Sequence, residues 1–165
     1  MTLELLIVPC LADNYAYLLH DAGSGTTAVV DVPEAAPVQQ LLAERGWRLD
    51  AILLTHHHND HIAGVPALAA ATGAAVIGAA ADAHRLPPLS TAVHPGQMIE
   101  VAGHRTEVLD ATGHTLGHIA FYMPRAGLLF SGDSLMSWGC GRLFEGSPAQ
   151  MLATLERMAA LPGDT

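Results

Sequence analysis

The run His56-His57-His58-Asn59-Asp60-His61 directly follows the apolar stretch Ala51-Ile52-Leu53-Leu54. That pairing constrains what the chain can fold into more than any other feature. A short apolar stretch suits a buried strand, and the functional groups of α/β proteins collect just beyond the carboxyl ends of such strands. The spacing within the run is H-x-H-x-D-H. In an extended segment His56 and His58 direct their side chains to one side, so a single cation can take both. Asp60 and His61 stand where the chain enters the next helix and can face a second cation. Imidazole and carboxylate are ligands that zinc, iron and manganese accept while leaving positions open for water. The alternative is a solvent-facing polar loop that is histidine-rich by chance, and the apolar strand in front of the run argues against it.

The elements around this run read as a mixed architecture. Leu3 to Val8, Ala16 to Leu19 and Thr26 to Val30 form an opening strand meander, with Gly23-Ser24-Gly25 as one of its turns. Pro37 to Gly46 is expected to be helical, with Val38, Leu41 and Leu42 at helical spacing and Gly46 as its stop. After the histidine run come a helix over Ala63 to Thr72 and short strands at Ala75 to Ile77, Met98 to Val101, Glu107 to Leu109, Ile119 to Met123 and Leu128 to Phe130. Ser147-Pro148 opens a last helix, since Ser is a good N-cap and Pro fits a first turn.

With 165 residues, one domain is expected, and neither an internal repeat nor a low-complexity linker divides it. The net charge of −9, from 7 Lys+Arg against 16 Asp+Glu, argues against a nucleic-acid partner. No apolar stretch approaches the roughly 18 residues of a spanning helix, so no membrane partner is expected. Cys10 and Cys140 lie far apart and form neither a disulfide framework nor a Cys-x-x-Cys pair. With no signal-type start, that pattern leads to an expected cytoplasmic location. Cys140, between two glycines, is expected to be packed or backbone-constrained rather than catalytic.

Two further groups follow short strands. His114 lies in Thr112-Gly113-His114-Thr115-Leu116-Gly117-His118 and Asp133 in Ser131-Gly132-Asp133. Alone, a histidine in a glycine-rich loop or a Gly-Asp turn is ordinary. Arriving in this order behind the first motif, His114 becomes a candidate ligand of the first cation. Asp133, with two oxygens, becomes a candidate bridge between both.

This set resembles the metallo-β-lactamase superfamily through His56, His58, Asp60, His61, His114 and Asp133. Within it the chain resembles glyoxalase II, the hydroxyacylglutathione hydrolases, through Asp13-Asn14-Tyr15, the Thr55 to His61 run and Gly139-Cys140-Gly141-Arg142-Leu143-Phe144-Glu145-Gly146. The resemblance implies an α+β fold, an αββα sandwich of two packed sheets flanked by helices, with residues 1–165 as its catalytic domain. It implies hydrolysis of S-D-lactoylglutathione to D-lactate and glutathione. Two divalent cations, zinc first and iron or manganese otherwise, would supply a metal-bound hydroxide. Asp60 could also accept a proton. The resemblance implies that Gly141, Arg142 and Phe144 touch the glutathione moiety. Asp31, after the strand Ala28-Val29-Val30, would orient a ligand from behind, or is simply a strand-ending turn residue. His57 and His118 are expected to face away from the cations, His118 as a structural hydrogen-bonder. His20, His84, His94 and His104 read as ordinary surface or core residues.

The family carries a further strand with a Gly-His-Glu segment and then a helical glutathione-binding domain. On that comparison the chain is expected to be incomplete at its carboxyl-terminal end, with one ligand of the second cation and the helical domain missing. The rival readings are a mononuclear-iron persulfide dioxygenase and a catalytically impaired metal-binding module. The oligomeric state is not legible from the sequence.

Overall fold

Alternating burial along the strands explains how the chain layers itself. The computed structural model describes residues 3–165. Strands β1 (Leu3–Cys10), β2 (Asn14–Asp21) and β3 (Thr26–Val30) form an antiparallel meander, and β4 (Ala51–Leu53), β5 (Ala75–Ala79) and β6 (Thr91–Val93) extend it in parallel. This six-stranded sheet has the order β1-β2-β3-β4-β5-β6. A second, antiparallel sheet has the order β10-β9-β8-β7, from β7 (Met98–Val101), β8 (His104–Asp110), β9 (Ile119–Met123) and β10 (Leu128–Phe130).

Side chains alternate across a strand, so a strand buried on both faces feeds two cores. In β9 every residue is buried. Ile119, Phe121 and Met123 join the core between the sheets, whereas Ala120 and Tyr122 join one on the outer face. In β4, Leu53 faces the intersheet core, while Ile52 and the following Leu54 pack toward the helices. Helices α1 (Ala35–Arg45), α2 (Asn59–Ile62) and α3 (Val65–Thr72) cross between the parallel strands, and Val38, Leu42, Val65 and Leu68 close the first sheet's outer core. Helix α4 (Pro148–Ala159) covers the second sheet through Met158. The result is the expected αββα sandwich.

The helix expected over Ala63 to Thr72 begins earlier and is broken. Its first turn, α2, starts at Asn59, and Gly64 separates it from α3. A Cβ on Gly64 would lie 2.5 Å from the Ala35 backbone nitrogen, so only glycine lets the two crossovers pack this closely. Strand β6 was not anticipated, being three residues long and following Pro87-Pro88. Helix α4 begins with a capping box: Ser147 Oγ accepts from the Gln150 N–H at 3.3 Å, and Gln150 Oε1 accepts from the Ser147 N–H at 2.8 Å.

Replacing Leu53 with Ala is expected to cost about 2–5 kcal/mol by leaving a cavity between the sheets. Ser147→Ala should cost only about 1 kcal/mol, the value of a helix cap. Urea unfolding of both variants tests this layering, and a Leu53→Ala cost no greater than that of Ser147→Ala would contradict it.

Candidate metal centre

The site begins with a residue in an uncommon backbone conformation. Asp31 directly follows β3 with φ 55°, a left-handed geometry that Asp tolerates better than most residues. Its buried carboxylate accepts from the Thr55 N–H at 2.9 Å and from Thr55 Oγ1 at 2.7 Å, and Oδ2 lies 2.8 Å from His61 Nδ1. The Thr55 hydroxyl has one proton and gives it to Asp31. Its oxygen therefore accepts from His56 Nδ1–H, at 3.0 Å. That fixes the His56 tautomer and leaves Nε2 as a lone pair. Burial, followed by the surrounding imidazoles, pushes the His56 pKa far below its ordinary value, so the ring is neutral.

His114 is prepared in the same way. Its Nδ1 donates to the Arg142 carbonyl at 2.7 Å, leaving Nε2 to face His58 Nδ1 at 2.9 Å. Burial and then the His114 and His57 rings depress the His58 pKa. Donor nitrogens of His56, His58 and His114 all lie within 4.8 Å of one another. His56 Nε2 is fully buried without a hydrogen-bond partner. A neutral, buried, unpartnered lone pair at the centre of three imidazoles is what a cation would satisfy, so this donor set fits a divalent metal.

Asp133 reaches two of these histidines. Its Oδ1 lies 3.1 Å from His61 Nε2 and its Oδ2 lies 3.4 Å from His114 Nε2. A carboxylate spanning two imidazoles in this way can bridge two cations. Without a cation, burial alone would lower the His61 pKa, but hydrogen bonds to Asp133 and Asp31 outweigh it and push the value up to about 10. The same contact holds the Asp133 carboxyl below its ordinary range despite burial. Asp31, His56 and His61 form a second group with donor atoms within 4.8 Å. Asp60 is the outlier among the expected ligands. It is 52% exposed at the side chain, its Oδ2 is 3.9 Å from His61 Nε2, and Asn14 Nδ2 donates to that same oxygen at 3.2 Å.

A cleft of about 750 Å³ opens over this cluster, lined by His58, Asp60, His114 and Asp133 together with Cys140, Gly141, Arg142 and Phe144. The Phe144 ring stands edge-on to His58 and His114 at 5.2 and 5.3 Å, and the Arg142 guanidinium lies 5.9 Å from the Phe144 ring centre. Cys140 is exposed rather than packed, on the irregular Gly139 to Gly146 segment. A second cavity, of about 420 Å³, reaches His61 and Asp133 from the side of Leu5, Tyr17 and Phe130.

His57 turns away from the cluster, with Nδ1 3.1 Å from Asp82 Oδ2 and Nε2 3.5 Å from Glu145 Oε1. His118 stays close, its ring stacked on His56 at 4.6 Å. Its Nδ1 donates to the Ile119 carbonyl at 3.1 Å, and burial, followed by His114, lowers its pKa to about 3. His20 stacks on Trp47, His104 is 3.7 Å from Asp21, and His84 and His94 are exposed, all outside the site. Sequence reasoning assigned no role to Thr55 or Asn14, although both stood in the quoted motifs. A Thr directly before the first ligand candidate was the available signal. It also missed Asp82 and Arg85, whose i,i+3 pairing on a short turn left only a weak trace.

A model of the metallo-beta-lactamase superfamily matches residues 12–165. The hydroxyacylglutathione hydrolase of Rhodobacter capsulatus is 67% identical over 165 residues, which is 100% of this chain and 64% of that protein. That of Cereibacter sphaeroides (strain ATCC 17025 / ATH 2.4.3) is 62% identical over 100% of this chain and 65% of its own length. The chain thus spans 64–65% of these curated relatives. Among solved structures, BLEG-1 B3 metallo-beta-lactamase superposes with a TM-score of 0.89 at 22% identity, covering 96% of this chain and 87% of that one, a likeness of fold. ETHE1 from Myxococcus xanthus superposes with a TM-score of 0.84 at 30% identity, covering 100% and 73%.

Removing the Asp31 carboxylate should leave His61 buried beside fewer compensating charges. Asp31→Ala is expected to destabilise the metal-free chain by about 3–5 kcal/mol and to weaken zinc binding ~10–100-fold. Urea unfolding and zinc titration check both, and unchanged values would assign Asp31 to a turn role only. Glu145 offers a pH test. The Arg85 guanidinium, assisted by the Leu116 N–H, holds its carboxyl at about 2, below the ordinary 4.5. A depressed carboxyl stabilises the fold above pH 4.5 and loses that contribution as the pH falls toward 2. Wild type should therefore exceed Glu145→Gln by about 1 kcal/mol at pH 6, after solvent screening. Acid titration of both proteins should show the gap closing between those limits.

Proposed function

This chain belongs to the metallo-beta-lactamase superfamily, and we propose that it acts as a metal-dependent thioester hydrolase on S-D-lactoylglutathione, releasing D-lactate and glutathione. The observation that carries this reading is the single cleft lined both by the ligand-type side chains His58, Asp60, His114 and Asp133 and by Arg142 and Phe144. The whole-chain match to curated hydroxyacylglutathione hydrolases supports the choice of substrate.

His56, His58, His114 and Asp133 would hold a first cation, and Asp60, His61 and Asp133 a second, with zinc the best match to this donor set and iron or manganese its competitors. A bound cation would supply Lewis acidity to the thioester carbonyl and lower the pKa of a bound water. The chain's own residues do the rest. Asp31 and Thr55 lock the His61 and His56 rings so that each presents a defined nitrogen. Asp60 Oδ2, steadied by Asn14 and open to the cleft, is positioned to receive a proton. Arg142 offers a two-pronged guanidinium to a glutathione carboxylate, and Phe144 shields the His58 and His114 edges from water. Glutathione is a small-molecule partner, and the acidic net charge disfavours a nucleic-acid one. No helix among the described residues is long and apolar enough to cross a membrane. Two free cysteines, one of them exposed, support a reducing cytoplasm.

A second reading, an iron-dependent persulfide dioxygenase, draws on the contrast between the compact His56/His58/His114 group and the exposed Asp60. One experiment separates the two. Zinc-loaded protein should release glutathione from S-D-lactoylglutathione, a chelator should abolish the release, and His58→Ala should lower kcat/KM at least ~100-fold. Iron-loaded protein that consumes oxygen with glutathione persulfide, while leaving the thioester intact, would overturn the hydrolase reading.

A further inference from the structure

The Gly139 to Gly146 segment carries Arg142 and Phe144 and is held by scattered hydrogen bonds rather than by regular structure. It lacks helix or paired strand beyond one Met136–Gly139 bridge, and most of it is exposed. Its backbone is tied to the site by the Gly141 N–H to Asp133 O at 2.8 Å, the Phe144 N–H to His114 O at 3.2 Å and the Gly146 N–H to Gly113 O at 3.2 Å. Glu145 is the one acidic residue in the segment, and it is engaged by Leu116, by Arg85 and, at 3.5 Å, by His57 Nε2. Oε2 accepts from the Leu116 N–H at 2.9 Å, and Arg85 grips both oxygens, Nη1 on Oε1 and Nη2 on Oε2 at 3.2 Å. A two-pronged guanidinium–carboxylate pair fixes orientation as well as distance.

Arg85 is itself anchored. Its Nε donates to Asp82 Oδ1 at 3.1 Å and its Nη2 to the same oxygen at 2.5 Å. Asp82 is buried, and its other oxygen meets His57 Nδ1 at 3.1 Å. A Cβ at Gly117 would fall inside the Asp82 carboxylate, so the glycine is what lets this turn close over it. The contacts therefore run from His57, flanked by the ligand candidates His56 and His58, through Asp82 and Arg85 to Glu145, and His57 Nε2 closes the ring at 3.5 Å from Glu145 Oε1. Glu145 lies one residue from Phe144 and three from Arg142.

We propose that Arg85 and Glu145 are positioning residues for the substrate, and that the His57–Asp82–Arg85–Glu145 relay sets the height of the Arg142–Phe144 wall above the His58/His114 pair. The inference rests on the glutathione-thioester reading for its substrate, though not for its geometry. Both residues act through others and neither touches the reacting atoms. Their loss should weaken capture of the glutathione moiety and leave the bond-breaking step nearly intact.

The test uses Glu145→Gln, which keeps an acceptor for the Leu116 N–H on an exposed loop, together with Arg85→Met and Arg85→Lys. For S-D-lactoylglutathione, Glu145→Gln and Arg85→Met should raise KM ~10-fold with kcat within ~3-fold of wild type. Zinc content and hydrolysis of a lactoyl thioester of N-acetylcysteamine, which lacks the glutathione peptide, should be unchanged. Arg85→Lys should restore the KM only in part, because an ammonium cannot make the two-pronged contact. Independently of activity, tryptic cleavage after Arg142, followed by mass spectrometry, should be ~10-fold faster in both loss variants, since a released loop opens more often. Unchanged KM together with unchanged cleavage would overturn the proposal. So would a parallel loss of zinc and of both activities, which would mean that the relay supports the metal ligands instead. If wild type leaves lactoylglutathione untouched, the hydrolase reading fails. The cleavage rates then still decide whether the relay tethers the loop, with faster cleavage in the variants supporting it and equal rates overturning it.

Discussion

A single buried carboxylate, that of Asp31, is the contact on which the rest of the site depends. It gathers a backbone N–H and a hydroxyl from Thr55 and a ring nitrogen from His61, joining the end of β3 to the end of β4 and to α2. A buried anion is costly unless its lone pairs are met. These donors meet them, and in doing so they choose the His56 tautomer, leave its Nε2 as a buried lone pair and turn the His61 Nε2 toward Asp133. The left-handed backbone at Asp31 is part of the same arrangement, since it turns the chain at the end of the strand where the carboxylate meets its partners.

The layered packing sets the positions that this contact then refines. The parallel half of the first sheet delivers the His56 to His61 run, and the second sheet delivers His114 after β8 and Asp133 after β10. The two sheets share a core of fully buried residues such as Leu19, Leu53 and Phe121, so loops from different sheets meet along one rim without needing regular structure of their own. Rigid elements below and irregular loops above are the usual division of labour in a binding site.

Electrostatics separates the donors into two kinds. His56 and His58 are kept neutral by burial and by each other's company, whereas His61, between Asp31 and Asp133, favours a proton. The first group is thus ready to offer lone pairs, while the second holds a positive charge where a cation would otherwise sit. The acidic surplus of the sequence is spent partly here, on carboxylates that face imidazoles and Arg85 rather than solvent.

Much of this was legible in the residues. The strand pattern and the H-x-H-x-D-H spacing identified most of the strands and a cluster of ligand-type side chains, because side-chain period and ligand chemistry are local properties, whereas the two-sheet arrangement came from the family resemblance. Boundaries such as the break at Gly64 were not legible, because they answer to a neighbouring crossover rather than to local preference. The relay through Asp82, Arg85 and Glu145 was invisible for a related reason: its members lie 60 residues apart at the extremes of the Arg85–Glu145 pair, and each looks like an ordinary surface charge. The sequence by itself determined which atoms could bind and which strands could carry them. Only the tertiary structure decided which nitrogen each ring presents, which carboxylates are buried beside them, and how a loop without regular structure is held over the site. Those choices depend on hydrogen bonds between segments that local sequence preferences do not bring together.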